Sequence, residues 1–268
     1  MSAEIRRTII EQSKRAGIGH IGSCLSIADA MAALYGSALR IDSLDDPGRD
    51  RLIMSKGHAA LALYAALHEA GWLSRAALDT YCGDGSAVAG HPEHVLPGVE
   101  LSTGSLGHGL SVGAGAALAG RLHGHRSRVF VLMSDAECNE GSVWEAVMFA
   151  RHHGLANLVA VVDVNGQQAL GNTREVLDLD PLGDRWRAFG WHVEEIDGHD
   201  PEGIATTLDC LDTGPAGPPH AVLLRTVFGR GVSYMESQLQ WHYWPMSDAQ
   251  YEQAVAELSD AGAQGAGG

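Results

Sequence analysis

Four short strand-like runs mark the chain from residue 128 onward: RVFVLMS (128–134), NLVAVVD (157–163), WHVEEID (191–197) and HAVLLRT (220–226). Helical segments separate them, and an earlier run, RLIMS (51–55), reads as a further short strand. Short β-rich runs alternating with helices predict an α/β fold, an open, mostly parallel sheet with helices on both faces. Ligands of such sheets sit beyond the C-terminal ends of the strands. The residues that follow each run are therefore the first place to look for chemistry.

The helical segments have their own signatures. AEIRRTIIEQSKRAG (3–17) carries Ile5, Ile9 and Ile10 near helical spacing, and SIADAMAALYGSAL (26–39) reads as a second helix. HAALALYAALHEAG (58–71) is a third, ended by Gly71. Residues 83–107 form a long loop punctuated by Gly and Pro, and loops of that length in compact domains are usually functional or disordered. HGLSVGAGAALAGRL (108–122) is a helix crowded with Gly and Ala. Each Gly costs about 1 kcal/mol against Ala in a helix, so this one is expected to be buried where a backbone or cofactor approaches closely. The whole reads as a single domain over residues 1–260 with a flexible tail, 261–268.

Charge narrows the function. The formal net charge of −15 argues against nucleic acid or an anionic membrane as partner through a broad basic face. A small anion would need local help from a metal, helix N-termini or a few basic groups. No run approaches the roughly 20 apolar residues of a membrane span, and the N-terminal stretch lacks the apolar core of a signal peptide. Cys24, Cys82, Cys138 and Cys210 lie far apart with no CxxC pair, so free thiols in a reducing, cytoplasmic compartment are expected.

The stretch VLMSDAECNEG (131–141) ends a buried-looking run in Asp135, Glu137 and Glu140. Carboxylates so crowded repel one another and invite a cation. Asp135 closes one predicted strand and Asn165 follows the next, so adjacent parallel strands would set them side by side. A carboxylate, an amide and a nearby carbonyl make an oxygen-rich half shell, which suits Mg²⁺ completed by phosphate oxygens and water. Zinc fits poorly, because no Cys or His stands at those strand ends. The other reading of Asp135 and Glu137 is that they cap the helix SVWEAVMFARHH (142–153). Asp135 itself is expected at an exposed strand end.

Residues 134–171 resemble the thiamine-diphosphate motif of the transketolase family, which usually begins Gly-Asp-Gly and ends in Asn. Further blocks agree in family order: GHIGSCLSIADAMAALY, SKGHAALALYAAL, GHPE, GVELSTGSLGHGLSVGAGAALAGR and GRGVSYME with WHYWP. The resemblance implies thiamine diphosphate and Mg²⁺ as cofactors. It implies that Asp135, Asn165 and the carbonyl of Gln167 hold the metal, and that His58 and His242 bind the diphosphate. Gly104, Ser105 and Leu106 would meet the aminopyrimidine ring, with Asp135, Ala136, Glu137 and Asn165 completing the cofactor contacts. His20, His91 and His242 would line the substrate channel and manage protons, as imidazoles titrating near neutrality can. Glu140 would join a carboxylate network where two subunits meet. The remaining aromatics of WHYWP, Trp241, Tyr243 and Trp244, are expected in a packed lid or an interface.

Two departures stand out. Ser134-Asp135-Ala136 replaces Gly-Asp-Gly, where the methyl of Ala136 would crowd a diphosphate if the position needed positive φ. His108 stands where Gln is commoner. Full-length members continue into a pyrimidine-binding domain, which supplies a catalytic glutamate, and a C-terminal domain. The chain is therefore expected to be the N-terminal subunit of a split transketolase. It would pair with a C-terminal companion in an α₂β₂ assembly and move a two-carbon ketol unit between sugars or sugar phosphates. The other readings are the α subunit of a 2-oxo acid dehydrogenase or decarboxylase, and a non-catalytic partner.

Overall fold

Each of the five apolar runs forms a strand: β1 (Arg51–Met54), β2 (Val129–Ser134), β3 (Leu158–Val164), β6 (His192–Asp197) and β7 (His220–Arg225). A two-residue hairpin, β4 (Gln167–Gln168) with β5 (Gly171–Asn172), follows β3. The five pair in the order β1-β2-β3-β7-β6, every neighbour parallel. The computed structural model describes residues 1–265, with side chains as far as residue 260.

Strand side chains alternate between two faces, and here both faces are covered. Leu52, Met54, Phe130, Leu132, Val159 and Val161 join one apolar core. Its helices are α1 (Ser2–Ala16), α2 (Ile21–Ser26), α3 (Ala28–Ala33), α4 (Ala60–Glu69), α10 (Pro201–Cys210) and α11 (Asp248–Gly265), with short α5 (Arg75–Leu78) beside α4. Ile53, Val129, Val131, Met133, Ala160 and Val162 join the other. That face is covered by α6 (Gly109–Leu122), α7 (Gly141–His152) and α9 (Leu182–Ala188), while α8 (Thr173–Leu177) follows the hairpin. Burial on both faces explains why β2, β3 and most of β7 read as continuously apolar, while the edge strand β6 is partly exposed and carries Glu194 and Glu195. Among the described residues no helix is long and apolar enough to cross a membrane.

Three expectations need adjustment. The helix expected over 26–39 starts earlier and is broken at Ile27 into α2 and α3, with a π turn over Leu34–Ala38. Ser26, at the break, gives its hydroxyl to Asp163 under the end of β3. The Gly-rich helix α6 is buried on one side only. A methyl on Gly113 would lie 2.5 Å from Val131 Cγ2, whereas one on Gly115 would meet nothing. The sheet therefore explains Gly113, and Gly115 faces outward. Finally, α11 runs to Gly265, five residues into the segment expected to be a tail; residues 266–268 lie outside the described residues.

Gly113→Leu should force α6 off β2 and cost about 1–3 kcal/mol, the range of overpacked cores. Urea unfolding of the variant beside Gly115→Leu, expected to be milder, checks this.

Candidate functional site

The residues beyond the strand ends are organised around a buried charge pair. The backbone N–H groups of Ser55 and Lys56, just past β1, both reach the Leu132 carbonyl, at 2.8 and 3.3 Å. This carries Lys56 into the interior, where it has no exposure at all. Its Nζ lies 2.5 Å from Asp163 Oδ2 and 3.3 Å from the Ser23 carbonyl. Asp163 also accepts from Ser26 Oγ at 2.7 Å, Asn165 Nδ2 at 2.8 Å and Thr226 Oγ1. None of Lys56, Asp163, Ser26 or Thr226 stood out in the sequence. One signal was available: a carboxylate inside the buried run NLVAVVD demands a partner.

Asp135 follows β2 directly and is 7% exposed, which corrects the expectation of an open strand end. The chain after β3 folds over it. Asp135 Oδ1 accepts the Ala136 N–H at 2.8 Å, and Oδ2 accepts the Gly166 N–H at 2.9 Å. Burial pushes its carboxyl up to about 7, helped by the charge of Asp163 and opposed by those two backbone bonds and by Lys56. Asn165 Oδ1 accepts the Gln167 N–H at 2.9 Å. The fold thus brings Asp135, Asn165 and the Gln167 backbone to one spot. One carboxylate, one amide oxygen and one main-chain carbonyl are hard oxygen donors. Such donors would suit a hard cation such as Mg²⁺, which needs few protein ligands.

Four histidines from four separate segments converge beside them. Ring centroids lie 5.4 Å apart for His20–His58, 5.1 Å for His20–His242, 5.2 Å for His58–His242 and 6.3 Å for His20–His91. His20 takes a left-handed backbone, φ 62°, held by its N–H on the His242 carbonyl at 3.1 Å. A methyl on the preceding Gly19 would lie 2.4 Å from the Tyr243 carbonyl oxygen, so only Gly fits there. Non-Gly residues at positive φ are uncommon and concentrate at functional sites. Burial lowers His58 well below the usual imidazole range, with the Lys56 charge adding. His242 falls to about 4 through burial, then His20 and Lys56. Burial and His91 lower His20 as well. His20, His58 and His242 are therefore uncharged near neutrality.

Between these groups lies a cavity of about 160 Å³, lined by Lys56, His58, Leu106, Ala136, Asn165 and His242 among others. Leu106 borders it from the long loop, and a methyl on Gly104 would lie 3.4 Å from the His91 ring. Ser105 is exposed, and its carbonyl lies 3.2 Å from His108 Nδ1. Glu140 is exposed at the same cavity. Ala136 does not have positive φ, so its methyl meets no backbone restriction. Ser134 uses its hydroxyl to accept the Glu137 N–H at 3.1 Å.

Glu137 is the site residue placed differently from expectation. It is fully buried and accepts from Ser55 Oγ, from the Gly107 N–H at 2.8 Å and from the Ser134 N–H at 3.4 Å. Its carboxylate is used inside the protein, tying the 104–107 turn to the ends of β1 and β2, and is not among the cavity's lining groups. The aromatic cluster also divides. Trp241 is buried in the core, while Tyr243 and Trp244 are exposed, and Tyr243 Oη donates to the Ala169 carbonyl at 2.6 Å.

Residues 1–259 match the thiamine-diphosphate-binding domain of transketolase. The chain is 42% identical over 261 residues to an apulose-4-phosphate transketolase subunit of Phocaeicola vulgatus, covering 97% of this chain and 92% of that one. It is 39% identical over 262 residues to the 6-deoxy-6-sulfo-D-fructose transketolase subunit SqwG of a Clostridium species, covering 97% and 95%. Its fold superposes on the Campylobacter jejuni transketolase with a TM-score of 0.88 at 28% identity, covering 96% of this chain but 42% of that one. The chain thus has the length of the subunit relatives and less than half that of the single-chain enzyme.

Lys56→Met should destabilise the protein by about 3–5 kcal/mol, because it strands the Asp163 charge in the interior. Adding Asp163→Asn should recover part of that loss, as read from urea midpoints.

Proposed function

The chain belongs to the transketolase family as its thiamine-diphosphate-binding part, and from that premise we propose that it supplies the metal- and diphosphate-holding half of a two-chain ketol transferase. The enzyme would move a two-carbon unit from a ketose to an aldose. The observation that carries this reading is that Asn165, Gln167, His58 and His242 line one cavity, with Asp135 bonded to the Gly166 N–H behind it and the His20 ring beside both cavity imidazoles. A bound thiamine diphosphate supplies the carbanion stabilisation for such chemistry, and the protein supplies orientation and electrostatics.

The protein groups divide the remaining work. Asp135, Asn165 and the Gln167 carbonyl hold Mg²⁺. His58 and His242, kept neutral by burial, each offer an N–H to a diphosphate oxygen without adding a buried charge. Leu106 gives an apolar wall, and Gly104 leaves room beside His91. His20 and His91, with His242, contact sugar hydroxyls and take up or return protons, a role suited to imidazole. The subunit relatives are named for a 4-phosphate and a 6-sulfo sugar, so an anionic ketose is the proposed donor class.

A companion chain is part of the proposal. Leu170, Leu177, Tyr243 and Trp244 are large apolar side chains left exposed in the segments beyond the strand ends, and Val112, Leu122, Met148 and Phe149 are exposed on α6 and α7. Exposed apolar surface of this extent marks an interaction face. The companion would bring the pyrimidine-binding domain and its catalytic glutamate, with two copies of each chain in the assembly. Ketol transfer should therefore be absent from this chain alone and appear on mixing with the companion, thiamine diphosphate and Mg²⁺. Robust transfer by the purified single chain would overturn the reading.

Metal affinity should carry the signature of Asp135. Its carboxyl must lose a proton to bind Mg²⁺, and its affinity for protons is raised to about 7. Below that pH, metal displaces a proton and affinity should fall about tenfold per unit; above about pH 8 it should level off. Calorimetry in two buffers of different ionisation enthalpy should show proton release at about pH 6 and little at about pH 8.5. Asp135→Ala should abolish metal-dependent cofactor binding at every pH.

A further inference from the structure

A second cavity, of about 560 Å³, opens at the opposite edge of the sheet, and its lining is basic. Arg40, Arg121, His125, Arg126, Asn157 and Asp212 border it. Arg40 lies in the connection that enters β1, Arg121, His125 and Arg126 in the passage from α6 to β2, Asn157 just before β3, and Asp212 in the turn before β7. All therefore lie at the N-terminal ends of the strands, away from the cofactor cavity.

The charges here differ in kind from those on the cofactor side. There, the cations have carboxylates: Lys56 has Asp163, Arg174 has Asp180, Arg225 has Glu195 and Arg230 has Glu236. Among the described residues Arg40, Arg121 and Arg126 have none within 4.0 Å, in a chain with 33 acidic against 18 basic side chains. The arrangement is anchored. The backbone of Arg40 exchanges hydrogen bonds with Asp50 at 3.1 Å in both directions, and Asp50 is held by buried Arg128 at 2.7 Å. Arg121 Nη1 is fixed on the carbonyls of His153 and Gly154. Asn157 is tied by its amide to Ala117 and Ser127. The guanidinium groups of Arg40 and Arg126, which have no carboxylate partner, suit bidentate recognition of phosphate oxygens. The volume falls within the range of small-molecule pockets.

We propose that this cavity is a second anion site, which takes a phosphorylated small molecule on the face of the sheet opposite the cofactor. Arg40 and Arg126 grip the phosphate, Arg121 sets a fixed positive wall, and His125 can add a ring N–H. Asp212 is the one acid of the lining and sets an edge against which a ligand hydroxyl can donate.

The test titrates inorganic pyrophosphate, without metal, into the full chain by calorimetry, with His58→Ala/His242→Ala and Arg40→Ala/Arg126→Ala variants alongside. The expected result is saturable binding that survives the double histidine variant and weakens at least tenfold in the double arginine variant, whose urea midpoint stays near that of the parent. An Arg40→Lys/Arg126→Lys variant should keep part of the affinity, since charge remains and the fork is lost. Binding lost with His58→Ala/His242→Ala and kept in the double arginine variant would assign the anion to the cofactor cavity and overturn the proposal. So would an absence of saturable binding, or binding that neither variant changes.

Discussion

Lys56 and Asp163 meet with virtually no solvent contact, and the geometry of the site depends on that meeting. Taking two such ions out of water costs several kcal/mol each, and their attraction offsets this only when the remaining polar capacity is also met. Here it is met by parts that chemistry needs in fixed positions. Asp163 gathers α2 through Ser26, the chain beyond β3 through Asn165, and the chain beyond β7 through Thr226. Lys56 adds the connection beyond β1. Four segments that diverge from the sheet are thereby tied at one carboxylate. The same tie orients Asn165 and sets Lys56 two residues before His58.

The cofactor cavity is built by desolvation as much as by contact. Burial raises the carboxyl of Asp135 and lowers His20, His58 and His242, so before a ligand arrives the site carries less charge than its residue types suggest. A dication and a diphosphate bring opposite charges that compensate one another, and neutral imidazoles can hydrogen-bond the anion without burying further charge. Glu137 belongs to the support of this arrangement. Its carboxylate fastens the 104–107 turn to the strand ends, which places Leu106 at the cavity wall.

The two edges of the sheet manage charge in opposite ways. At the cofactor cavity the one lining cation, Lys56, is matched by Asp163, and Leu170, Tyr243 and Trp244 are exposed in neighbouring segments. At the far edge arginines stand without carboxylates around an open concavity. Exposed apolar side chains suit a protein surface, and uncommitted guanidinium groups suit small anions, so a single parallel sheet presents two kinds of recognition at its two ends.

Strand positions and fold class were legible in the sequence because they follow from short-range pattern. Apolar runs of strand length, punctuated by Asp135 and Asn165, specify a parallel sheet and an oxygen-rich edge whatever the packing turns out to be. Family-like blocks such as SKGH and GHPE pointed to the family, and residues 1–259 match its thiamine-diphosphate-binding domain. The buried network did not show, because Lys56, Asp163, Ser26 and Thr226 are up to 200 residues apart by position number and nothing local couples them. Nor did the burial of Asp135, which depends on the chain after β3 folding back over the end of β2, or the break between α2 and α3. The left-handed turn at His20 depends on a carbonyl from residue 242. Hydrophobic period is a property of neighbouring residues, so sequence alone determined the sheet. Which polar groups lose water, and which partners they find, is settled only when distant segments pack, and that decided the protonation, orientation and support of every residue in the site.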